Sequence, residues 1–208
     1  MTLAKFTGIV TPVLTPFNDD GSIAEDLYFE HCKHVLEEGS DYISPFGTSG
    51  EALSISMAER RYLLEKIIAQ NIVRPDQIMP GTGLCSLGDT LDLTKHAVEL
   101  GCAAVMILPP FFFPSPGNNG LFRYFSGLIE AVGFDDLKIC LYHIPQNTGV
   151  GISPELTQQL NEAFPQTVVA YKDSSGNWDN TQSVIKSAPG VSVFPASEVL
   201  IPDATDLG

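Results

Sequence analysis

The sequence predicts an α/β fold, in which short buried strands alternate with amphipathic helices. Seven runs are rich in Val, Ile, Leu and aromatic residues on both faces, which is typical of strands covered on both sides in a parallel sheet. Helical segments with start and stop signals lie between them. The predicted strands are Thr7–Leu14, Tyr42–Phe46, Gln77–Thr82, Ala104–Leu108, Lys138–His143, Thr167–Lys172 and Val191–Phe194.

The predicted helices fill the intervals between these strands, and several carry capping signals. Ser22 and Ser56 are each followed three residues later by Glu, the pattern of a capping box. Ser153 precedes a first-turn proline, which also favours a helix start. The predicted helices are Asp26–Glu38, Arg60–Gln70, Leu87–Leu100, Asn118–Val132, Leu156–Ala163, Asp179–Ser187 and Leu200–Leu207. A repeated β-α order predicts parallel strands joined by right-handed crossovers.

The length of the chain bears on the choice between a closed barrel and an open sheet. An eight-stranded (β/α) barrel usually takes about 250 residues, and the chain has 208. We therefore predict one domain, residues 1–208, that is a (β/α)8 TIM barrel with about seven strands present and the eighth β-α unit and C-terminal helices missing. An open doubly wound sheet is the alternative. The barrel is favoured because the candidate functional residues described below lie at the ends of the second, fourth, fifth and sixth strands, and these ends meet at one mouth only in a barrel.

Composition restricts the possible partners. Eleven Lys and Arg against 25 Asp and Glu give a formal net charge of −14, which repels phosphate backbones and anionic lipid. The longest nearly apolar run, Cys102–Phe113, is too short to cross a bilayer. The four cysteines lie far apart without a CxxC pair, and the N-terminus lacks a secretory signal. We expect a cytoplasmic protein that binds neither nucleic acid nor membranes.

A turn with two hydroxyl residues follows the second predicted strand. It contains Gly47, Thr48, Ser49 and Gly50. Two glycines around two hydroxyl residues allow a tight turn whose N–H and hydroxyl groups face a small anion, such as a carboxylate or phosphate. An ordinary turn that caps the next helix would have the same sequence.

A tyrosine and a lysine close two later strands. By the alternation of strand side chains, Tyr142 points into the barrel if Cys140 does, and its phenol can transfer protons there. An aromatic residue that only fills the core is the alternative. Lys172 ends an apolar strand, where desolvation favours a neutral amine able to form a Schiff base with a ketone. Alternatively this lysine reaches the rim or pairs with Asp173.

The other aromatic and imidazole side chains are assigned simpler roles. Phe111–Phe113 predict a hydrophobic wall or a subunit contact. His31 and His34 lie on the outer face of the first helix without further ligands, so we expect no metal site. His96 is predicted on a helix surface, and His143 should face away from Tyr142 as a core residue.

Taken together, the motifs TPF, GTSGE, PPFFF, YHIP and YKDSSG occur in order along the chain. This series resembles the dihydrodipicolinate synthase / N-acetylneuraminate lyase family, whose members are class I, pyruvate-handling (β/α)8 enzymes. The resemblance extends from about Gly8 to Gly208.

The resemblance implies a role for each candidate residue. Lys172 corresponds to the Schiff-base lysine and Tyr142 to the proton-transferring tyrosine. Thr48 and Ser49, with Gly47 before them, match the turn that binds the pyruvate carboxylate. Ala196 stands where many members have a glycine that shapes the pocket. The imine route needs no organic or metal cofactor.

Two positions depart from the synthases of the family. Phe112 replaces a second tyrosine of the proton relay, and Asn147 replaces an arginine that binds the carboxylate of the aldehyde substrate. The resemblance thus implies a lyase or aldolase that takes pyruvate, or another 2-oxo acid, with a less charged or aromatic aldehyde, rather than a 4-hydroxy-tetrahydrodipicolinate synthase. It also implies a homodimer or homotetramer.

Two other functions remain open from the sequence. A metal-dependent barrel aldolase or a phosphate-binding isomerase would need a ligand cluster or a glycine-rich phosphate loop. A non-catalytic or inactive truncated barrel would have unpaired strand edges, and we expect little activity from the 208-residue chain alone.

Overall fold

The computed structural model describes residues 6–113 and 115–208. Strands and helices alternate through most of this length, as predicted. In chain order the elements are β1 (Val10–Pro12), α1 (Glu25–Glu37), β2 (Tyr42–Ser44), α2 (Met57–Ala69), α3 (Leu87–Glu99), β3 (Val105–Ile107), α4 (Gly117–Val132), β4 (Ile139–His143), α5 (Pro145–Thr148), α6 (Pro154–Ala163), β5 (Val168–Asp173), α7 (Trp178–Ser187), β6 (Ser192–Pro195) and α8 (Ile201–Leu207).

The third predicted strand, Gln77–Thr82, is not a continuous strand in the structure. Its first residue belongs to a 3-10 turn, Pro75–Gln77. The remainder makes only isolated parallel bridges, Ile43 with Ile78 and Gly81 with Met106. Pro80 has no N–H to donate, which prevents a continuous ladder.

The described residues fall into two compact units. The larger contains Gly83–Leu91 and Ile107–Gly208 with the described part of the N-terminus, and the other contains Gly8–Thr82 and Asp92–Met106. In the larger unit β4, β5 and β6 are parallel neighbours in that order. The register places Tyr142 opposite Lys172, and Lys172 opposite Phe194.

The other unit contains the two-stranded parallel sheet of β1 and β2, with Val10 opposite Tyr42. The core of this unit includes buried residues of α1 and α2 together with the β2 strand, such as Tyr28, Ile43 and Leu63. The apolar patterns of the sequence thus correspond to buried faces here.

The predicted helix caps differ in outcome. Ser56 forms a capping box with Glu59, because its Oγ accepts from the Glu59 N–H and the Glu59 carboxylate accepts from the Ser56 N–H at 2.8 Å. The hydroxyl of Ser153 caps α6 as expected. The predicted box at Ser22 is wrong: its hydroxyl donates to Asp20 at 2.6 Å, and the side chain of Glu25 pairs with Lys66 at 2.7 Å.

None of the helices within residues 6–113 and 115–208 is both long and apolar enough to span a membrane.

Candidate active site

Lys172 is the next-to-last residue of β5, a strand whose other residues are all buried. Its Nζ lies 4.7 Å from the centroid of the Tyr142 ring. Burial lowers the pKa of Lys172. The sequence-based expectation of a desolvated amine at the end of this strand therefore agrees with the structure.

Tyr142 and Cys140 line the same side of β4. The residues are 3% and 1% exposed, respectively. Burial raises the pKa of Cys140 to about 12, so this thiol stays protonated. The surroundings of the amine thus include an aromatic ring and a neutral thiol. Within the described ranges no carboxylate forms an ion pair with Lys172.

The alternative pairing of Lys172 with Asp173 is wrong. The Asp173 carboxylate accepts hydrogen bonds from Ser175, Asn180 and Thr181 instead. Consecutive residues of a strand point to opposite faces, so the two side chains diverge. The lysine amine is not held in a salt bridge that would keep it charged.

His143 follows Tyr142 and belongs to the opposite face, as predicted. Its ring stacks on Tyr171 with centroids 5.7 Å apart, and its Nδ1 accepts from the Ile152 N–H at 2.9 Å. Burial lowers the pKa of His143, and the charge of Asp173 opposes this shift. The imidazole is a neutral structural group behind the strand.

Ala196 follows β6 and is exposed. Its N–H donates to the Asp173 carbonyl at 2.8 Å. Phe194, two residues earlier, is the register partner of Lys172. Lys172, Tyr142 and Ala196 therefore occur at the ends of three adjacent strands, and the structure brings them together.

The hydroxyl turn belongs to the other unit. Gly47 is buried, whereas Thr48 and Ser49 are exposed. The carbonyls of Gly47 and Thr48 accept from Ala52 and Glu51, which closes the turn. No acceptor for the Ser49 N–H occurs in the described part of the chain. Two hydroxyl residues of the turn are thus accessible to solvent.

The conformation of this turn is strained and closely packed. Phe46, just before it, has a φ of 60°, which is rare for a non-glycine residue. A Cβ on Gly81 would lie 2.1 Å from the Phe46 carbonyl oxygen, so only glycine fits there. Strain that a close-packed neighbourhood maintains is common at functional sites.

Arg60 supports the same turn, although nothing in the sequence pattern indicates this role. It is 4% exposed and donates to the Ala52 carbonyl, and burial lowers its pKa. A charged residue inside a helix pattern normally indicates an exposed face, so only its burial in the structure reveals this contact.

Phe112 and Phe113 of the aromatic run and the asparagine of the larger unit are exposed, whereas Phe111 is half-buried. Phe112 and Phe113 are 78% and 59% exposed, and their rings meet edge to face at 5.7 Å. Asn147 is an exposed residue of α5. The side chain at position 147 therefore carries no positive charge.

Of the other three histidines, His96 was predicted on a helix surface, and this prediction is wrong. His96 is buried, with its Nε2 2.8 Å from a carboxylate oxygen of Glu65, because the inner face of α3 extends to this residue. His31 accepts from the Leu14 N–H, and His34 lies near Glu38. Among the described residues, no group of three or more His, Cys, Asp or Glu side chains could hold a metal ion.

Parallel strands that alternate with helices make this an α/β protein, and its match to the solved structure of a dihydrodipicolinate synthase, given below, assigns it to the (β/α)8 barrel class. The chain belongs to the dihydrodipicolinate synthetase family, whose profile matches residues 5–208. The predicted family and fold class are confirmed.

Individual relatives agree with this assignment. The chain is 34% identical over 200 residues to an uncharacterized DapA-like lyase of Chloroflexus aurantiacus, covering 96% of this chain and 66% of the relative. Dihydrodipicolinate synthase of Agrobacterium tumefaciens has a solved structure with a TM-score of 0.93, 33% identity and coverage of 97% and 70%. YagE, a prophage protein of Escherichia coli K12 crystallised with pyruvate, gives a TM-score of 0.88 at 25% identity, with coverage of 99% and 68%.

The coverage of the relatives is partial. The chain spans 58% to 66% of the length of the first curated relatives that it matches.

Proposed function

We propose that this protein is a Schiff-base lyase or aldolase that takes pyruvate or another 2-oxo acid. The observation that carries this proposal is the Lys172 amine, which lies 4.7 Å from the Tyr142 ring at the end of a buried strand, with no ion-pairing carboxylate in the described ranges. The lowered pKa of Lys172 increases the fraction of neutral amine, the form that attacks a ketone. Family membership supports the same reaction class.

The chemistry follows from the properties of an imine. The neutral amine adds to the keto carbon, and the resulting carbinolamine takes up one proton and loses its oxygen as water, which leaves a protonated imine. The imine draws electrons from the adjacent carbon. That carbon either loses a proton to give an enamine, or it breaks its bond to a hydroxyl-bearing carbon, whose hydroxyl gives up its proton as the aldehyde departs and the enamine forms. The enamine attacks an aldehyde in the synthetic direction. Tyr142 is proposed to move the protons of these steps.

The substrate carboxylate is proposed to bind to Thr48 and Ser49, with Gly47 allowing close approach. The support is the exposure of both residues and the Ser49 N–H, for which the described residues provide no acceptor. Preorganised donors of this kind stabilise an anion without reorganisation. Ala196 is proposed to border the same substrate, since it is exposed beside the end of β5.

The second substrate is proposed to be an aldehyde without a carboxylate near its reacting carbon. Asn147 offers no positive charge to such a group, and the exposed Phe112–Phe113 pair offers apolar contact area. A charged aldehyde such as aspartate semialdehyde would lack its partner. We also propose that the protein forms homo-oligomers. We propose a cytoplasmic location because the four cysteines are free, as is usual in a reducing compartment.

Borohydride trapping tests the proposed function directly. The protein incubated with pyruvate and sodium borohydride should gain the mass of one reduced pyruvyl group on Lys172, located by peptide mapping. Lys172→Ala should abolish the adduct, whereas Lys186→Ala, which removes an exposed lysine of α7 in the same unit, should retain it. A wild-type chain without an adduct, or an adduct that persists in Lys172→Ala, contradicts the proposal.

The competing metal-dependent aldolase is tested in the same samples. Trapping that proceeds at an unchanged rate in the presence of a strong chelator supports the imine route. Loss of 2-oxo acid cleavage on chelation, with recovery on adding a divalent cation, would favour the alternative.

A further inference from the structure

A group of hydrogen-bonded side chains lies on the face of β5 opposite to Lys172. We call it the rear network; it consists of Tyr171, Asp173, Ser175, Asn180 and Thr181. Tyr171 is fully buried, and its hydroxyl donates to the Ile152 carbonyl at 2.9 Å and accepts from Asn180 at 3.3 Å. The rear network thus connects β5 with the first turns of α7.

Asp173 is the centre of the rear network. One carboxylate oxygen accepts from the Ser175 N–H at 3.0 Å and from the Ser175 hydroxyl at 2.6 Å. The other accepts from Asn180 Nδ2 and from the Thr181 hydroxyl, each at 2.8 Å. Four donors match the acceptor sites of an ionised carboxylate, which the amide of asparagine could not match.

The charge of Asp173 is held without a cation. This residue is 3% exposed, and no Lys, Arg or His in the described ranges forms an ion pair with it. All four donors are neutral groups. Such charge-assisted hydrogen bonds are short and about twice as strong as neutral ones, so they fix geometry firmly.

The backbone on both sides of Asp173 is also fixed. Its carbonyl accepts from the Ala196 N–H, and the Ser174 N–H donates to the His143 carbonyl, each at 2.8 Å. These bonds connect the ends of β4, β5 and β6 directly behind the side chains of Tyr142 and Lys172. Rotation of this strand end would move the amine away from the phenol ring.

We propose that Asp173, through the rear network, is a positioning residue that holds the Lys172 amine against the Tyr142 ring and away from water. The proposal rests on the proposed function, since it assigns to Asp173 the orientation of the Schiff-base lysine. Misplacement of a reacting group by about 1 Å can cost a factor of about 100 in rate. Asp173 acts through its neighbours and does not touch the substrate.

The test uses Asp173→Ala and Thr181→Val in the full chain. Thr181→Val keeps the carboxylate and nearly the same shape but removes one donor. Asp179→Ala is the matched control, because Asp179 is an exposed acid of α7 whose side chain does not belong to the rear network. Thermal unfolding of each variant determines the folded fraction to which the rates are referred.

Two measurements separate positioning from a merely structural role. The first is the rate of borohydride trapping at saturating pyruvate, which should fall about 100-fold in Asp173→Ala and about 3- to 10-fold in Thr181→Val. The second needs no pyruvate: the pH midpoint of Lys172 labelling by acetic anhydride, followed by peptide mapping. This midpoint should rise in both variants because water reaches the amine, and Asp179→Ala should change neither measurement.

The outcomes distinguish the two proposals. Variants that unfold at lower temperature, with an unchanged trapping rate per folded molecule and an unchanged labelling midpoint, overturn the role of Asp173 and leave the proposed function intact. A wild-type chain that is not trapped, together with a raised midpoint in Asp173→Ala, refutes the proposed function and retains the positioning of the amine. If Asp173→Ala does not fold, Thr181→Val decides between the same results.

Discussion

The chemistry of Lys172 depends on where a single side chain is placed. Water stabilises a charged ammonium group by solvation, and burial at the end of β5 removes much of this solvation from Lys172. Among the described residues, no carboxylate forms an ion pair with Lys172 that would compensate for the loss of solvation. Tyr142 contributes the face of its ring, which attracts the cation, and a hydroxyl, which can move a proton. The ring and the hydroxyl can be separated experimentally.

Tyr142→Phe keeps the ring but removes the hydroxyl. We expect the borohydride adduct on Lys172 to persist, because the amine remains desolvated beside an aromatic ring. Exchange of the pyruvate methyl protons with deuterium, followed by NMR, should slow by about 10²- to 10⁴-fold, the usual contribution of a general acid–base group. Unchanged exchange would show that another group moves the proton.

His143 makes the stability of the protein depend on pH. Burial lowers its pKa in the folded state, and protonation of Nδ1 would break the hydrogen bond from the Ile152 N–H. The folded state therefore binds this proton less readily than the unfolded chain, so the stabilisation is present above the usual pKa near 6.5 and is lost as the pH falls toward the lowered value.

Urea unfolding between pH 7.5 and pH 5 measures this effect. The free energy of unfolding should decrease over that range in wild type and change less in His143→Gln. His34→Gln, at an exposed position of α1, should follow wild type. Equal pH dependence in wild type and His143→Gln would disprove the contribution of this imidazole.

The helices show that one sequence pattern has two structural outcomes. Ser22 and Ser56 each precede a glutamate by three residues, but only Ser56 caps its helix. Ser22 has Asp20 as a nearer acceptor, and Glu25 is held by Lys66. A local motif forms only if no stronger partner competes for its groups.

Alanine at each serine tests this difference. Ser56→Ala should lower the free energy of unfolding by about 1 kcal/mol, because the N–H of Glu59 loses its acceptor. Ser22→Ala should change it by less than about 0.5 kcal/mol, the usual range for a surface position. Denaturant unfolding of the two variants measures both values, and equal losses would contradict the caps described above.

For the molecule as a whole, the expected consequence of substrate binding is stabilisation. A ligand bound only by the folded state at 100 times its dissociation constant adds about 2.7 kcal/mol. We expect pyruvate to raise the unfolding temperature of wild type and not of Lys172→Ala, as measured by calorimetry. Equal shifts in both would place pyruvate at another site. We also expect one unfolding transition, as the prediction of a single domain for residues 1–208 requires.

Much of the fold could be predicted from the chain because buried parallel strands and amphipathic helices leave strong patterns. The apolar runs at residues 138–143 and 167–172 correspond to β4 and β5, and the helix signals located α2, α6 and α7 to within a few residues. The strand-end positions of Lys172 and Tyr142 follow from where the apolar runs stop, and the placement of His143 on the opposite face from Tyr142 follows from the alternation of side chains. Family membership was also visible in the order of five short motifs.

Other features required the folded structure because they depend on residues far apart in the sequence. Burial of Arg60 and His96, the fit of Gly81 against Phe46, and the four donors around Asp173 leave no local signal. The periodicity of a sequence shows which face of a helix or strand is apolar. It does not show which polar groups of a distant segment lie against that helix or strand. Hydrogen bonding and desolvation depend on those distant neighbours, so they emerge only when the chain is packed.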